Sequence, residues 1–217
     1  MTPWDGSVVD RVAEEARQAL QAKFEARERG LTLSREAVRN SANAIRAVHR
    51  NEWERAAELL AAAREAIRAA QRALAPHPDV LFAGFVHDAE KEVVEAAATY
   101  ALLHGDALPL PADLGAQWNA YLHGIGEACG ELRRYLLDLL RQGRVDSCEP
   151  ILRMMDDIYS ALVTIDFPDG MTAGLRRTTD MVRGVLEKTR GDLTVAVRQQ
   201  QLEAHLARVQ QALRPEA

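Results

Sequence analysis

The stretch Lys91-Glu92-Val93-Val94-Glu95-Ala96-Ala97 predicts a helix with two carboxylates on one side, because residues three or four positions apart share a helix face. A second stretch with the same property is Gly126-Glu127-Ala128-Cys129-Gly130-Glu131-Leu132-Arg133-Arg134. Between them lies Gly105-Asp106-Ala107-Leu108-Pro109-Leu110-Pro111, whose prolines predict a turn and therefore an antiparallel helical hairpin. In such a hairpin Glu92 and Glu127 lie at comparable distances from the bend.

Four carboxylates can share one site in this hairpin: Glu92, Glu95, Glu127 and Glu131. Carboxylate oxygens are the ligands that Mg²⁺ and Mn²⁺ take, and these ions support phosphodiester cleavage. The same spacing also fits helix edges that carry solvated glutamates, since charged residues are rarely buried without a partner. The spacing by itself leaves both interpretations open.

The composition favours an all-α protein. Only 5% of the 217 residues are aromatic, and no long segment alternates between apolar and polar residues. No Gly/Ser-rich or charged linker divides the chain, so we expect a single helical domain over residues 1–217, with a C-terminal helical extension from about residue 193.

Apolar periodicity predicts a series of helices separated by proline and glycine signals. The predicted segments are 7–29, 35–50, 52–74, 80–103, 112–141, 146–165, 172–190 and 193–213. The first two segments can form one long helix interrupted near Gly30, and Gly191 is expected to end the seventh. The first segment has an apolar stripe that includes Val8, Val12, Leu20 and Phe24. Phe82 and Trp118 are expected on the apolar arcs of their helices.

Charge and cysteine content narrow the function classes. The formal net charge of -5 argues against non-specific coating of nucleic acid, so nucleic-acid binding requires a local basic patch. Cys129 and Cys148 lack partners at metal-ligand spacing, which argues against zinc and disulfides and favours a reducing cytoplasm. The N-terminus lacks the pattern of a secretory signal, and no apolar run is long enough for a membrane span. We therefore expect a cytoplasmic protein with no membrane partner.

A basic stripe is the second candidate site. Arg35, Arg39, Arg46 and Arg50 fall on one side of a predicted helix, with His49 just outside the arc. Guanidinium groups pair with phosphates bidentately, so the stripe can hold a nucleic-acid backbone. It can equally be a solvated face that pairs with acidic residues elsewhere.

Other catalytic signatures are missing from the sequence. There is no Glu-x-x-His pair of the di-iron type, no glycine-rich phosphate loop and no Gly-x-Ser-x-Gly motif. His87 and His123 precede the glutamates by a few residues, so each is either a helper group or a surface histidine.

Four stretches, in this order, resemble the translin superfamily over roughly residues 10 to 193. They are Ser34-Arg35-Glu36-Ala37-Val38-Arg39-Asn40-Ser41-Ala42-Asn43-Ala44-Ile45-Arg46-Ala47-Val48-His49-Arg50, Glu92-Val93-Val94-Glu95-Ala96, Gly130-Glu131-Leu132-Arg133-Arg134, and Gly174-Leu175-Arg176-Arg177 leading to Val185-Leu186-Glu187-Lys188-Thr189-Arg190-Gly191. The resemblance implies an all-α fold of about seven helices and subunits assembled into a closed, hollow shell. It also implies that RNA is cut inside the cavity with Mg²⁺.

The family contains a nucleic-acid-binding type and a catalytic type. The catalytic type carries Glu-x-x-Glu, matched by Glu92 and Glu95, and Asp-x-x-x-Glu, matched by Glu127 and Glu131. Glu127 departs from the usual Asp, which lengthens the carboxylate's reach by one methylene. The resemblance thus implies that Glu92, Glu95 and Glu127 bind the metal and that Glu131 supports them.

The sequence therefore favours a Mg²⁺-dependent endoribonuclease, with Mn²⁺ as a substitute, that acts on single-stranded RNA. The expected assembly is a homo-oligomeric closed shell of six to eight chains. The alternative is a catalytically silent shell that binds single-stranded RNA or DNA. A third hypothesis, motivated by the acidic net charge, is a helical adaptor with no nucleic-acid role.

Overall fold

The protein consists of long helices, and helices that are close in sequence pack against each other. The computed structural model describes residues 6–212, and within that range all regular structure is helical. The helices are α1 (Ser7–His49), α2 (Trp53–Leu74), α3 (Pro78–Leu81), α4 (Gly84–His104), α5 (Pro111–Leu114), α6 (Trp118–Arg141), α7 (Glu149–Val163), α8 (Asp169–Thr172) and α9 (Leu175–Ala212), with a 3₁₀ turn at Val145–Ser147 between α6 and α7. The predicted all-α class is confirmed.

Helix α4 contributes to two apolar clusters of the fold. Val94 and Ala97 pack into a cluster with α6, α7 and α9, whereas Ala89 and Val93 pack into a second cluster with α1, α2 and α3. Alanines line much of α4, and their small side chains allow neighbouring helices to approach closely. The hairpin predicted for α4 and α6 forms.

Gly105 and the prolines that follow it end the first arm of this hairpin. Gly105 adopts φ 91°, and the N–H groups of Gly105 and Asp106 both donate to the carbonyl of Ala101. This left-handed C-terminal residue is a conformation that glycine adopts without steric cost. The chain then passes through the short helix α5 and returns as α6.

Helices α1 and α9 continue through the glycines at which interruptions were predicted. Gly30 stays helical within α1 and is buried, and a Cβ atom at this position would lie 2.6 Å from Leu74 Cδ1. The missing side chain thus allows the end of α2 to pack against α1. The expectation that Gly191 ends a helix is wrong, because α9 runs without a break from Leu175 to Ala212.

Apolar side chains on the outer halves of α1 and α9 remain exposed. On α1, Val8, Val12, Leu20 and Phe24 are between 48% and 63% exposed. A second exposed set on α9 comprises Val195, Leu202, Leu206 and Val209. These side chains form exposed apolar stripes along the two helices in the described part of the chain.

Two predicted core aromatics are also exposed. Trp118 is 70% and Phe82 is 68% exposed. Trp118 is the first residue of α6, and Phe82 follows the end of the short helix α3, so neither lies within the packed length of its helix. Within residues 6–212, no helix combines the length and the apolar character that a membrane span requires.

Candidate metal centre

Three glutamate side chains meet where α4 packs against α6. Glu92 and Glu95 come from α4 and Glu127 comes from α6. One carboxylate oxygen of each lies within 4.8 Å of the others, and all three side chains are partly buried. Three carboxylates at this separation repel one another when all are ionised, so the arrangement favours occupation by a cation.

The cause of this convergence is a close contact between the two helices. A Cβ atom on Gly124 would lie 2.7 Å from the carbonyl oxygen of Lys91 and 2.6 Å from Val94 Cβ. Only glycine allows α6 to lie against the α4 backbone at this point. Glu127 follows Gly124 by one turn and therefore faces the turn of α4 that carries Glu92 and Glu95. A Cβ atom on Gly130, further along α6, would by contrast meet nothing within 4 Å.

Glu131 is held apart from the three clustered glutamates. Its carboxylate accepts a hydrogen bond from Nε2 of His49, the last residue of α1, and lies 3.6 Å from the guanidinium of Arg134. The hydrogen bond from His49 lowers the pKa of Glu131, and the charges of His49 and Arg134 act in the same direction against burial. Glu131 therefore remains ionised and links α1 to α6 beside the cluster.

Lys91 supplies a positive charge next to the clustered glutamates. Its Nζ atom lies 2.8 Å from Glu127 Oε2 and 3.7 Å from Glu92 Oε1. Burial disfavours the charge on Lys91, but its hydrogen bond to Glu127 and the neighbouring carboxylates outweigh that effect and raise its pKa. One ammonium group thus offsets part of the negative charge of Glu127 and Glu92.

Glu95 has the most strongly perturbed carboxylate of the centre. Burial, together with the negative charges of Glu92, Glu127 and Glu131, raises its pKa to about 8. Lys91 opposes the shift only in part. A carboxyl group that stays protonated at neutral pH indicates that the cluster has too little positive charge to stabilise all of its carboxylates. The donor atoms are all oxygens, which fits a hard divalent ion such as Mg²⁺.

The basic stripe lies on the outside of α1. Arg35, Arg39, Arg46 and Arg50 are all exposed, and none of them forms an ion pair with another residue of the range 6–212. Arg46 donates a hydrogen bond to Asn43 at 2.7 Å. Arg35 and Arg39 border a depression of about 290 Å³ together with Asp88 of α4, one turn before Glu92. The stripe therefore runs along α1 towards the helix end that carries His49.

The two other candidate histidines, His87 and His123, lie next to each other, and His87 is partly exposed. His123 is buried, and its ring nitrogens are within hydrogen-bond distance of Thr178 Oγ1 at 2.6 Å and the Thr172 carbonyl at 2.9 Å. His87 packs edge-on against it with ring centroids 6.1 Å apart. This pair connects α4 and α6 to the start of α9, which gives His123 a structural role.

Comparisons with known proteins agree with this fold. No protein-family model matches the chain. An uncharacterized protein of Methanocaldococcus jannaschii, MJ0175, is 32% identical over 199 residues, which is 91% of this chain and 88% of that protein. The structure of AfC3PO, a translin-family protein, has a TM-score of 0.79 and 34% identity, and the match covers 85% of this chain and 96% of that one. The chain belongs to the translin superfamily.

Two further solved structures in the translin superfamily are similar to this chain. AfC3PO in complex with duplex RNA also gives a TM-score of 0.79, with 34% identity and coverage of 85% of this chain and 95% of that one. Apo-NeC3PO gives a TM-score of 0.72 at 22% identity, covering 87% of this chain and 96% of that one, which supports the fold alone. The translin-like fold predicted from the sequence is confirmed.

We expect Glu95→Gln to stabilise this translin-superfamily protein in the absence of metal. Between the ordinary pKa of 4.5 and the raised value of about 8, the unfolded chain releases a proton that the folded chain retains, so the free energy of unfolding falls as pH rises. Glutamine does not titrate, so it removes this effect. We expect the free energy of unfolding at pH 8 to increase by about 2 kcal/mol, which is less than the full pKa shift of Glu95 corresponds to, because the side chain is partly solvated.

Thermal unfolding in EDTA from pH 4 to pH 9 measures this difference. The melting temperatures of the two proteins should converge at low pH and separate towards pH 8. Glu65→Gln, at an exposed position of α2, should follow the wild-type curve. Parallel curves for Glu95→Gln and wild type would show that Glu95 is not strained by its neighbours.

Proposed function

We propose that this chain is a metal-dependent endoribonuclease. The observation that carries the proposal is the convergence of Glu92, Glu95 and Glu127 to within 4.8 Å at a partly buried helix contact. A translin-superfamily relative, AfC3PO, was solved in complex with duplex RNA, which supports RNA as the substrate class. The proposed metal is Mg²⁺, with Mn²⁺ as a substitute, because the ligand atoms are carboxylate oxygens.

In this proposal the glutamates of the centre and His49 have different roles. Glu92, Glu95 and Glu127 hold the ion and fix its position relative to α4 and α6. Glu131 supports the site from outside the cluster, and His49 keeps its carboxylate in place. When bound, a divalent ion supplies Lewis-acid stabilisation of the negative charge that develops on the phosphate during cleavage.

The basic stripe is the proposed RNA-binding surface. From Arg35 to Arg50 the helix rises by about 22 Å, which gives room for several backbone contacts. Guanidinium groups that contact phosphates carry no information about base identity, so the proposed binding tolerates many sequences. Because His49 is the last residue of α1 and contacts Glu131, a strand bound along the proposed surface leads towards these two residues.

Cleavage of labelled RNA tests the proposal. The purified protein is incubated with single-stranded RNA and with duplex RNA, each in Mg²⁺ and in EDTA. We expect fragments in Mg²⁺, no fragments in EDTA, and faster cleavage of the single strand. Fragments that persist in EDTA, or intact RNA in every condition, would contradict a metal-dependent ribonuclease.

The second candidate function is a catalytically silent protein that binds single-stranded RNA or DNA. The observation that favours it is the ion pair of Lys91 with Glu127 and Glu92, which gives these carboxylates a structural partner. In that case RNA should bind in EDTA as well as in Mg²⁺ and remain intact in both. The same incubation, followed by a binding measurement, separates the two functions.

We expect the double variant Arg39→Glu, Arg46→Glu to weaken binding of all RNA sequences to a similar extent. If each arginine contacts one phosphate of a single strand, the slope of log K against log salt should become shallower by about 1.4. Fluorescence anisotropy at several salt concentrations measures both effects. Arg55→Glu, Arg72→Glu on α2 makes the same change in net charge and should leave binding within about twofold, since small changes in overall charge act weakly at physiological salt.

Self-association into a closed shell is the proposed assembly, with six to eight chains. The exposed apolar stripes of α1 and α9 support it, since contiguous exposed apolar surface commonly marks an interface. Identical subunits usually assemble with closed symmetry. Light scattering should give one discrete mass in this range, and a monomer at micromolar concentration would rule out the enclosed site.

A further inference from the structure

Lys91 occupies an unusual position in the proposed metal centre. Its Nζ atom lies 2.9 Å from Glu127 Oε1 and 2.8 Å from Glu127 Oε2, so the ammonium group engages both oxygens of this carboxylate. Only 22% of the Lys91 side chain and 30% of the Glu127 side chain are exposed. The pair is therefore more strongly coupled than an ordinary surface salt bridge.

The helix contact explains why Lys91 reaches Glu127. Gly124 packs directly against the Lys91 carbonyl, and Glu127 follows one turn later on α6. Lys91 is also adjacent in sequence to Glu92, one of the three clustered residues. The ammonium group thus lies at the carboxylates that the metal ion would use.

A metal ion and the Lys91 ammonium group compete for Glu127 in this geometry. A carboxylate oxygen that accepts a hydrogen bond from Lys91 offers less electron density to a divalent cation. Two positive charges only a few ångströms apart also repel each other strongly in a partly buried site. Metal binding therefore requires the ammonium group to move away from Glu127.

We propose that Lys91 is an internal counter-cation that competes with the metal ion and sets the affinity of the centre. This inference rests on the proposed metal site and adds a regulatory element to it. In the metal-free protein Lys91 holds Glu127 and limits repulsion among the three carboxylates. In the metal-bound protein the divalent ion takes over this role.

Titration with Mn²⁺ alone tests the proposal on the full chain. Lys91→Met removes the charge but keeps a side chain of similar length. We expect this variant to bind Mn²⁺ at least about tenfold more tightly than wild type, because both the competition and the repulsion disappear. Lys91→Arg retains the charge and should bind Mn²⁺ within about threefold of wild type.

Thermal unfolding supplies a second readout that also reports on folding. Without metal, Lys91→Met should unfold at a lower temperature than wild type, because the carboxylates lose their counter-cation. Addition of Mn²⁺ should raise its melting temperature by more than it raises that of wild type. The substitution Glu127→Gln removes the contested carboxylate, so adding Lys91→Met to it should change Mn²⁺ affinity much less than in the wild-type background.

The outcomes separate this proposal from the proposed function. If wild type binds Mn²⁺ and Lys91→Met binds it equally or more weakly, Lys91 is not a competitor, although the metal site stands. If neither protein binds Mn²⁺, the metal site itself is wrong and the competition is overturned with it.

Discussion

Glu127→Gln is expected to reduce RNA cleavage by at least about 100-fold while RNA affinity changes by less than about threefold. Substitutions of groups that only support metal ligands already cost about 10- to 100-fold in related chemistry, so loss of a direct ligand should cost more. RNA affinity should persist because the proposed contacts come from the exposed arginines of α1 rather than from the glutamates. Glu92→Gln should give the same separation of cleavage from binding.

Single-turnover cleavage and fluorescence anisotropy, measured on the same preparations, check this prediction. Glu65→Gln, at an exposed glutamate of α2, is the matched control and should cleave at the wild-type rate. Full cleavage by both Glu92→Gln and Glu127→Gln would remove these residues from the active site. Loss of RNA binding in parallel with cleavage would place the strand on the carboxylates instead of on α1.

Gly124→Ala should destabilise the protein by about 2 to 3 kcal/mol and impair cleavage as well. The added methyl group would lie 2.6 Å from Val94 Cβ and 2.7 Å from the Lys91 carbonyl, and a backbone atom cannot move aside as a side-chain tip can. Relief of the clash requires α6 to move away from α4. That movement separates Glu127 from Glu92 and Glu95, so the carboxylate cluster opens.

Gly130→Ala is the matched control for this substitution. Gly130 lies on the same helix, is exposed, and has no atom within 4 Å of an added Cβ. Because alanine is the better helix former, the control should be more stable than wild type by about 0.5 to 1 kcal/mol. Equal melting temperatures for the two variants would show that the helices do not approach closely at Gly124.

The helical class and the hairpin could be predicted because their signals are local. Apolar periodicity and the proline-bearing turn after Gly105 are sufficient to place α4 and α6 side by side. The continuity of α1 and α9 was harder to predict, because one glycine costs a helix only about 1 kcal/mol and tertiary packing can offset it. The contact of Gly30 with Leu74 joins residues that are distant in sequence, and periodicity does not reveal it.

The candidate site was only partly predictable for a related reason. The spacing of Glu92 and Glu95 places both on one face of a helix, but spacing cannot distinguish solvated glutamates from clustered ones. The close contact of α6 with α4 at Gly124 brings the glutamates together. The residues that pair with the glutamates lie in other parts of the sequence. His49 reaches Glu131 across 82 positions of sequence, so no local pattern indicates the pair. Lys91 is the first residue of the stretch 91–97, but only the packing of α4 against α6 shows that it contacts Glu127.

Anomalous diffraction from crystals grown with Mn²⁺ tests the central claim most directly. We expect a peak among the carboxylates of Glu92, Glu95 and Glu127, with oxygen distances below about 2.5 Å. The Lys91 ammonium group should then have left Glu127, while His49 should still contact Glu131. A map at saturating Mn²⁺ that lacks a peak there, with Lys91 still bound to Glu127, would contradict the account.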